Sequence, residues 1–179
     1  MVAQLESTSI NSTLNLPYPV EGLLQVFTSV HRSFFTHVMA QSLRIAGQGH
    51  SVLIVQFLKG GIGQGHNFPV KLGHHLDWIR CDIPRCIDTP QLDEYESQSL
   101  QKLWQYTQAV VAASKYSLVV LDELSLAINF GLIPEKEVLE FLNRRPAHID
   151  IIFTGSEMPK SILDLADQMT EIRHSHRSQ

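Results

Sequence analysis

The sequence predicts an α/β protein with a mostly parallel sheet and helices on both faces. Short, continuous apolar runs recur at residues 23–27 (LLQVF), 52–57 (VLIVQF), 117–123 (SLVVLDE) and 149–154 (IDIIFT). Runs without alternation belong to strands buried on both faces, as in parallel sheets. Between these runs lie segments with apolar residues at helical spacing, and strands alternating with helices predict parallel crossovers. The run 117–123 ends in Asp122-Glu123. In open α/β sheets ligands sit outside the carboxyl ends of the strands, so this acidic pair marks the edge to inspect.

Taken in order, residues 1–20 are rich in Ser, Thr and Asn, lack periodicity and close on Pro17 and Pro19. They predict a flexible arm, and residues 21–179 predict one domain without internal repeats. After the first strand, 28–33 is a polar turn. From Ser33 onward, Phe35, Val38, Met39, Leu43 and Ala46 fall on one face of a helix, with Ser33 as its cap and Gly47 and Gly49 as its stop. The strand 52–57 leads into a glycine-rich loop, Lys59 to Gly65. Residues 76–81 predict a further strand, and 82–93, with Pro84 and Pro90, a loop. Residues 95–114 carry Leu100, Leu103, Trp104, Thr107, Val110 and Val111 on one side and predict a long helix. Pro134 opens a helix to about Asn143. Ser156 is expected to cap a helix over 157–166, and 168–173 to form a last short strand.

Composition narrows the function classes. The 179 residues are 44% hydrophobic with a net charge of −4. That balance gives no global electrostatic attraction to nucleic acid or to an anionic membrane. No apolar run approaches the roughly 18–20 residues of a membrane span. The N-terminus lacks the basic-then-apolar pattern of a secretory signal, so the expected localisation is cytoplasmic. Cys81 and Cys86 match neither a CxxC pair nor a zinc site and are read as buried or partly buried free thiols. His74-His75 and the tail pair His174 and His176 have no Cys or carboxylate at ligand spacing and read as solvated surface.

Strand, turn, helix, strand, glycine loop and a strand ending in Asp-Glu is the order of elements in a P-loop nucleotide fold. Asp122 and Glu123 then stand as Walker-B carboxylates holding Mg²⁺, against the plainer reading of a strand ending in two solvated acids. Such a fold places GxxxxGK[ST] in its first turn, where glycines let backbone N–H groups close on phosphates and the lysine reaches them. Here the turn reads Ser29-Val30-His31-Arg32-Ser33-Phe34-Phe35-Thr36. It holds none of the required glycines, and Phe34 and Phe35 stand at the lysine and hydroxyl positions. Losing the lysine and the N–H cradle together costs roughly 4–6 kcal/mol of phosphate binding, about a thousandfold or more. His31 and Arg32 read either as a solvated turn or as cations partly replacing the lysine at a helix N-terminus. Lys59 is a third cation able to turn inward.

The segment from Leu118 to Arg173 resembles the P-loop cob(I)alamin (corrinoid) adenosyltransferases. VVLDEL, Leu132-Ile-Pro134, Glu137-Val138, Leu142-Asn-Arg-Arg-Pro146, Ile152-Phe-Thr-Gly155, Ile162-Leu-Asp-Leu-Ala-Asp167 and Glu171-Ile-Arg173 are similar to that family's motifs in order and spacing, and VQFLKG at residues 55–60 resembles its VQFxKG. The resemblance spans nearly all of 27–173. It implies a Rossmann-like P-loop NTPase fold, usually a homodimer, and transfer of the 5′-deoxyadenosyl group from ATP to a reduced corrinoid. It implies Mg²⁺ at the Walker-B acids, and ATP and corrinoid as ligands around Ser29 to Thr36, Lys59, Thr154 and Gly155.

The departures from that pattern cluster on the chemistry. The phosphate turn is altered, with Thr36 alone matching. The family's aromatic-bearing corrinoid loop falls near Cys86 to Asp88 and carries no aromatic here. The arginine after the fourth strand is Ser156, and the chain ends six residues after Arg173, before the family's closing segment. The sequence therefore favours a weakly active or inactive homologue with a binding or regulatory role. Two alternatives remain: an active adenosyltransferase with a rebuilt ATP site, or a non-nucleotide partner of an intact paralogue.

Overall fold

The computed structural model describes residues 21–173. The arm expected at 1–20 and the His174/His176 pair lie outside them. Twelve elements follow in chain order: β1 (Leu24–Ser29), α1 (Thr36–Gly47), β2 (Val52–Gly60), β3 (Val70–Leu72), β4 (Leu76–Cys81), α2 (Glu94–Ala112), β5 (Leu118–Asp122), α3 (Leu124–Asn129), α4 (Glu135–Arg144), β6 (Asp150–Ser156), α5 (Lys160–Leu163) and β7 (Gln168–Ile172). The strands form one sheet in the order β3-β4-β2-β5-β6-β1-β7. Every pairing is parallel except β3 with β4. This is the expected α/β architecture, consistent with a Rossmann-like P-loop fold.

The continuous apolar runs sort by strand periodicity onto two cores. Val52 and Ile54 of β2, Leu118 and Val120 of β5, and Ile152 of β6 pack with Phe35, Val38 and Ala46 around α1. Their neighbours Leu53, Val55, Phe57, Val119, Leu121, Ile151 and Phe153 face the other way, beneath Leu100, Leu103 and Trp104 of α2 and Val138 and Leu142 of α4. Each central strand is thus apolar on both sides, which is why its run does not alternate. No helix of the described residues is long and apolar enough to cross a membrane.

Several local expectations are corrected. Ser33 does not cap α1: the N-cap is Phe35, without a side-chain bond, and Ser33 Oγ donates instead to the His31 carbonyl at 3.1 Å. β2 continues beyond Phe57 to Gly60, so Lys59 sits in the strand rather than in the glycine loop. β6 runs through Ser156, and Pro159 opens only a short α5, so the helix expected over 157–166 shrinks to four residues. The extended β6 keeps Ser156 from capping, and Pro159 suits a helix start because it has no N–H to satisfy. β3 and α3 have no counterpart in the sequence reading. Cys86 is exposed rather than buried, whereas Cys81 is buried.

Candidate functional site

The polar residues of the fold converge at the carboxyl end of the sheet. Gln56 lies opposite Asp122 in the β2–β5 register, and Asp122 lies opposite Thr154 in β5–β6. Arg80 of β4 lies opposite Gln56. Strand periodicity puts Gln56, Asp122 and Thr154 on the α1 face, continuing the row of Ile54, Val120 and Ile152. All three are buried, so each needs partners. Trp78 Nε1 and Arg80 Nε both donate to Gln56 Oε1 at 2.9 Å. Gln56 Nε2 donates in turn to Asp122 Oδ2 at 2.7 Å, and Thr154 Oγ1 donates to Asp122 Oδ1 at 2.5 Å. Lys59 has turned inward, with Nζ 3.3 Å from Asp122 Oδ2.

Glu123 follows in the left-handed backbone region, with φ 63° and ψ 17°. Its N–H donates to the Thr154 carbonyl at 2.9 Å. Its buried carboxylate meets Arg32 from the turn after β1. Nε donates to Oε1 and Nη2 donates to Oε2 at 2.7 Å, a bidentate fork. Arg32 Nη1 donates to the Ile87 carbonyl at 3.0 Å, tying the turn to the loop 82–93. Those hydrogen bonds to Glu123 hold the Arg32 guanidinium above its ordinary value, against the opposing effect of burial. The solvated-turn reading of Arg32 is therefore overturned. His31 does remain exposed, its carbonyl accepting from Ser29 Oγ at 2.6 Å.

The rest of the altered turn is accounted for by packing. Val30 and Thr36 are exposed, and Thr36 begins α1. Phe35 is buried at 3% exposure, in phase with Val38. Phe34 is 52% exposed, and Lys59 Nζ lies over its ring, 5.1 Å from the centroid. Between these rings, Val38, Val120, Asp122 and Thr154 only about 10 Å³ is open. That is the space of a single water. Gly155 has φ +151°, a backbone conformation that other residues rarely adopt, and a Cβ there would meet Ser125 Oγ at 2.2 Å.

The sequence-derived residues Arg32, Phe34, Phe35, Lys59, Asp122, Glu123, Thr154 and Gly155 thus share one edge. Gln56, Trp78, Arg80 and Ser125 were missed. For Gln56 a signal existed: it is the one polar side chain in the run VLIVQF. Among the described residues no group of three or more His, Cys, Asp or Glu is placed to hold a metal ion.

The model of the family described as ATP:corrinoid adenosyltransferase BtuR/CobO/CobP matches residues 20–179. The chain belongs to this family. Among curated proteins, the corrinoid adenosyltransferase of Escherichia coli (strain K12) is 30% identical over 152 residues, covering 85% of this chain and 76% of that protein. Corrinoid adenosyltransferase CobA of Salmonella typhimurium is 31% identical over the same shares. An uncharacterized protein of Nostoc sp. is 26% identical over 172 residues, 87% of this chain and 44% of that protein. Corrinoid adenosyltransferase membership agrees with a mostly parallel sheet consistent with a Rossmann-like P-loop fold. It also sets the comparison for the edge: the turn facing Asp122 and Glu123 has none of the glycines of the P-loop pattern and has Phe34 and Phe35 at its lysine and hydroxyl positions.

Proposed function

We propose that this member of the corrinoid adenosyltransferase family has lost, or nearly lost, adenosyl transfer from ATP and serves in the cytoplasm as a corrinoid-binding or regulatory homodimer. The observation that carries the reading is the filled phosphate turn. Phe34 and Phe35 occupy the lysine and hydroxyl positions, and the space between them and Asp122 is about 10 Å³. A triphosphate needs a cradle of N–H groups and an uncommitted cation. The turn has no glycine to form the cradle, and Arg32 and Lys59 are already paired with Glu123 and Asp122. The loop 82–93 lacks an aromatic at Cys86 to Asp88 but is anchored, with the Ile87 N–H donating to the Leu58 carbonyl at 2.8 Å. The family scaffold is kept while its phosphate-handling parts are replaced.

Paired titrations test this reading. Calorimetry with ATP·Mg²⁺ is expected to give an affinity at least about a thousandfold below that of an intact family member. Cobalamin is expected to raise the melting temperature in a concentration-dependent way. Micromolar ATP·Mg²⁺ binding contradicts the loss of the phosphate site, and no response to any corrinoid contradicts the binding role.

A further inference from the structure

A divalent cation between Asp122 and Glu123 is what the P-loop order of elements asks for. The donor set around them does not fit that ion. Asp122 already accepts from Thr154 Oγ1 at 2.5 Å and Gln56 Nε2 at 2.7 Å, with Lys59 Nζ at 3.3 Å. Both oxygens of Glu123 are taken by the Arg32 fork. A hard cation such as Mg²⁺ needs free carboxylate lone pairs and a net negative field. Here Arg32 and Lys59 already face the two negative charges, and Arg80 joins the network through Gln56, so the cluster carries no net negative charge.

We infer that Arg32 and Lys59 are tethered substitutes for the divalent cation: they balance the acidic end of β5 without metal, and Arg32 clasps the turn after β1 to the loop 82–93. Three features support this beyond charge counting. The Arg32 fork is bidentate, a geometry that a mobile surface pair does not keep. Gln56 is held at its oxygen by Trp78 and Arg80, so it stays aimed at Asp122. Glu123 is only 1% exposed and has a left-handed backbone at a non-glycine position, which persists where the surroundings hold it. The Ile87 carbonyl, bonded by the same guanidinium, extends the clasp to a third segment. The inference does not depend on whether a corrinoid binds.

Mn²⁺, followed by its electron-spin resonance signal, is the probe for the full chain. The wild-type protein is expected to show no one-equivalent site at this edge. The double variant Arg32→Gln/Lys59→Met is expected to gain one, at least about tenfold tighter than any wild-type binding, and to lose it again on adding Asp122→Asn. Stoichiometric Mn²⁺ binding by the wild type that Asp122→Asn removes overturns the inference. So does a double variant that is folded by circular dichroism and binds no metal. If the double variant does not fold, Arg32→Lys keeps the charge and removes the fork. Hydrogen exchange of the 82–93 amides about tenfold faster in Arg32→Lys supports the clasp, and unchanged exchange overturns it.

Discussion

Arg32 shows how much one turn residue changes at the acidic edge. Glu123 is buried, and Arg32 supplies its countercharge from a side chain about one-third exposed. Removing one partner of such a pair strands the other. Arg32→Ala is expected to cost about 2–4 kcal/mol, discounted from the fully buried case for solvent screening. Arg32→Ala/Glu123→Gln should recover most of that loss, and urea unfolding of both singles and the double reads the coupling. The two thiols give a second expectation. Burial, with Asp82 and Glu96 nearby, pushes the Cys81 thiol up to about 12, whereas Cys86 is exposed. A thiol reagent at neutral pH should therefore modify one cysteine in the native protein and both only after unfolding, with Cys86→Ser removing the fast phase. Asp77 gives a third. Burial pushes its carboxyl up, but hydrogen bonds from Lys71 and Tyr116 together outweigh burial and hold it below its ordinary value. The folded state then binds fewer protons than the unfolded one near pH 4. The resulting stabilisation is complete above the unfolded value and disappears as pH falls through the lower, folded one. Asp77→Asn should flatten stability against pH in that acid range and leave its slope near neutrality unchanged.

At the scale of elements, what was legible depended on how local the signal is. β2, β5 and β6 were readable because both of their faces are buried, and each gives an unbroken apolar run that no neighbour has to explain. α2 was readable from the helical spacing of its one buried side, whereas its capping box was not read: Asp93 accepts from the Glu96 N–H at 2.8 Å, and Glu96 accepts from the Asp93 N–H at 3.1 Å. Asp93→Ala should cost about 1 kcal/mol in urea unfolding, the usual weight of an N-cap. Where the sequence misled, a competing partner, local or tertiary, had won. Ser33 and Ser156 look like caps, yet Ser33 bonds a turn carbonyl, and Ser156 extends β6 beside Ser29 of β1. β3 is three residues long and gains its identity only from pairing with β4. The candidate site divides in the same way. Asp122, Glu123 and Thr154 were legible from strand ends, and Lys59 as a cation able to turn inward, though the sequence assigns it to the glycine loop rather than to β2. The Arg32–Glu123 pair was not, because its partners lie 91 residues apart and a turn arginine reads as solvated until the fold supplies a buried carboxylate. The two phenylalanines, adjacent in sequence, should separate in experiment. Phe35→Ala empties a packed core position and should cost about 3–5 kcal/mol. Phe34→Ala removes only a half-exposed ring under Lys59 and should cost about 1 kcal/mol or less.

At the scale of the whole molecule, the corrinoid adenosyltransferase framework is present: the mostly parallel sheet, the acidic end of β5 and Thr154-Gly155 near the end of β6. In the proposed reading, an aromatic pair and two ion pairs within the chain stand where a triphosphate would be received. A framework can outlast its reaction because strands and helices are fixed by burial over many residues. Phosphate chemistry rests on a few side chains and backbone N–H groups in one turn. The measurement that tests this most directly is adenosyl transfer by the full chain, with ATP·Mg²⁺ and cobalamin kept reduced to Co(I), beside the Escherichia coli enzyme under identical conditions. The account predicts a rate at least about a thousandfold below that enzyme, close to the uncatalysed background. A comparable rate would contradict it and would make Arg32 and Lys59 parts of a rebuilt ATP site.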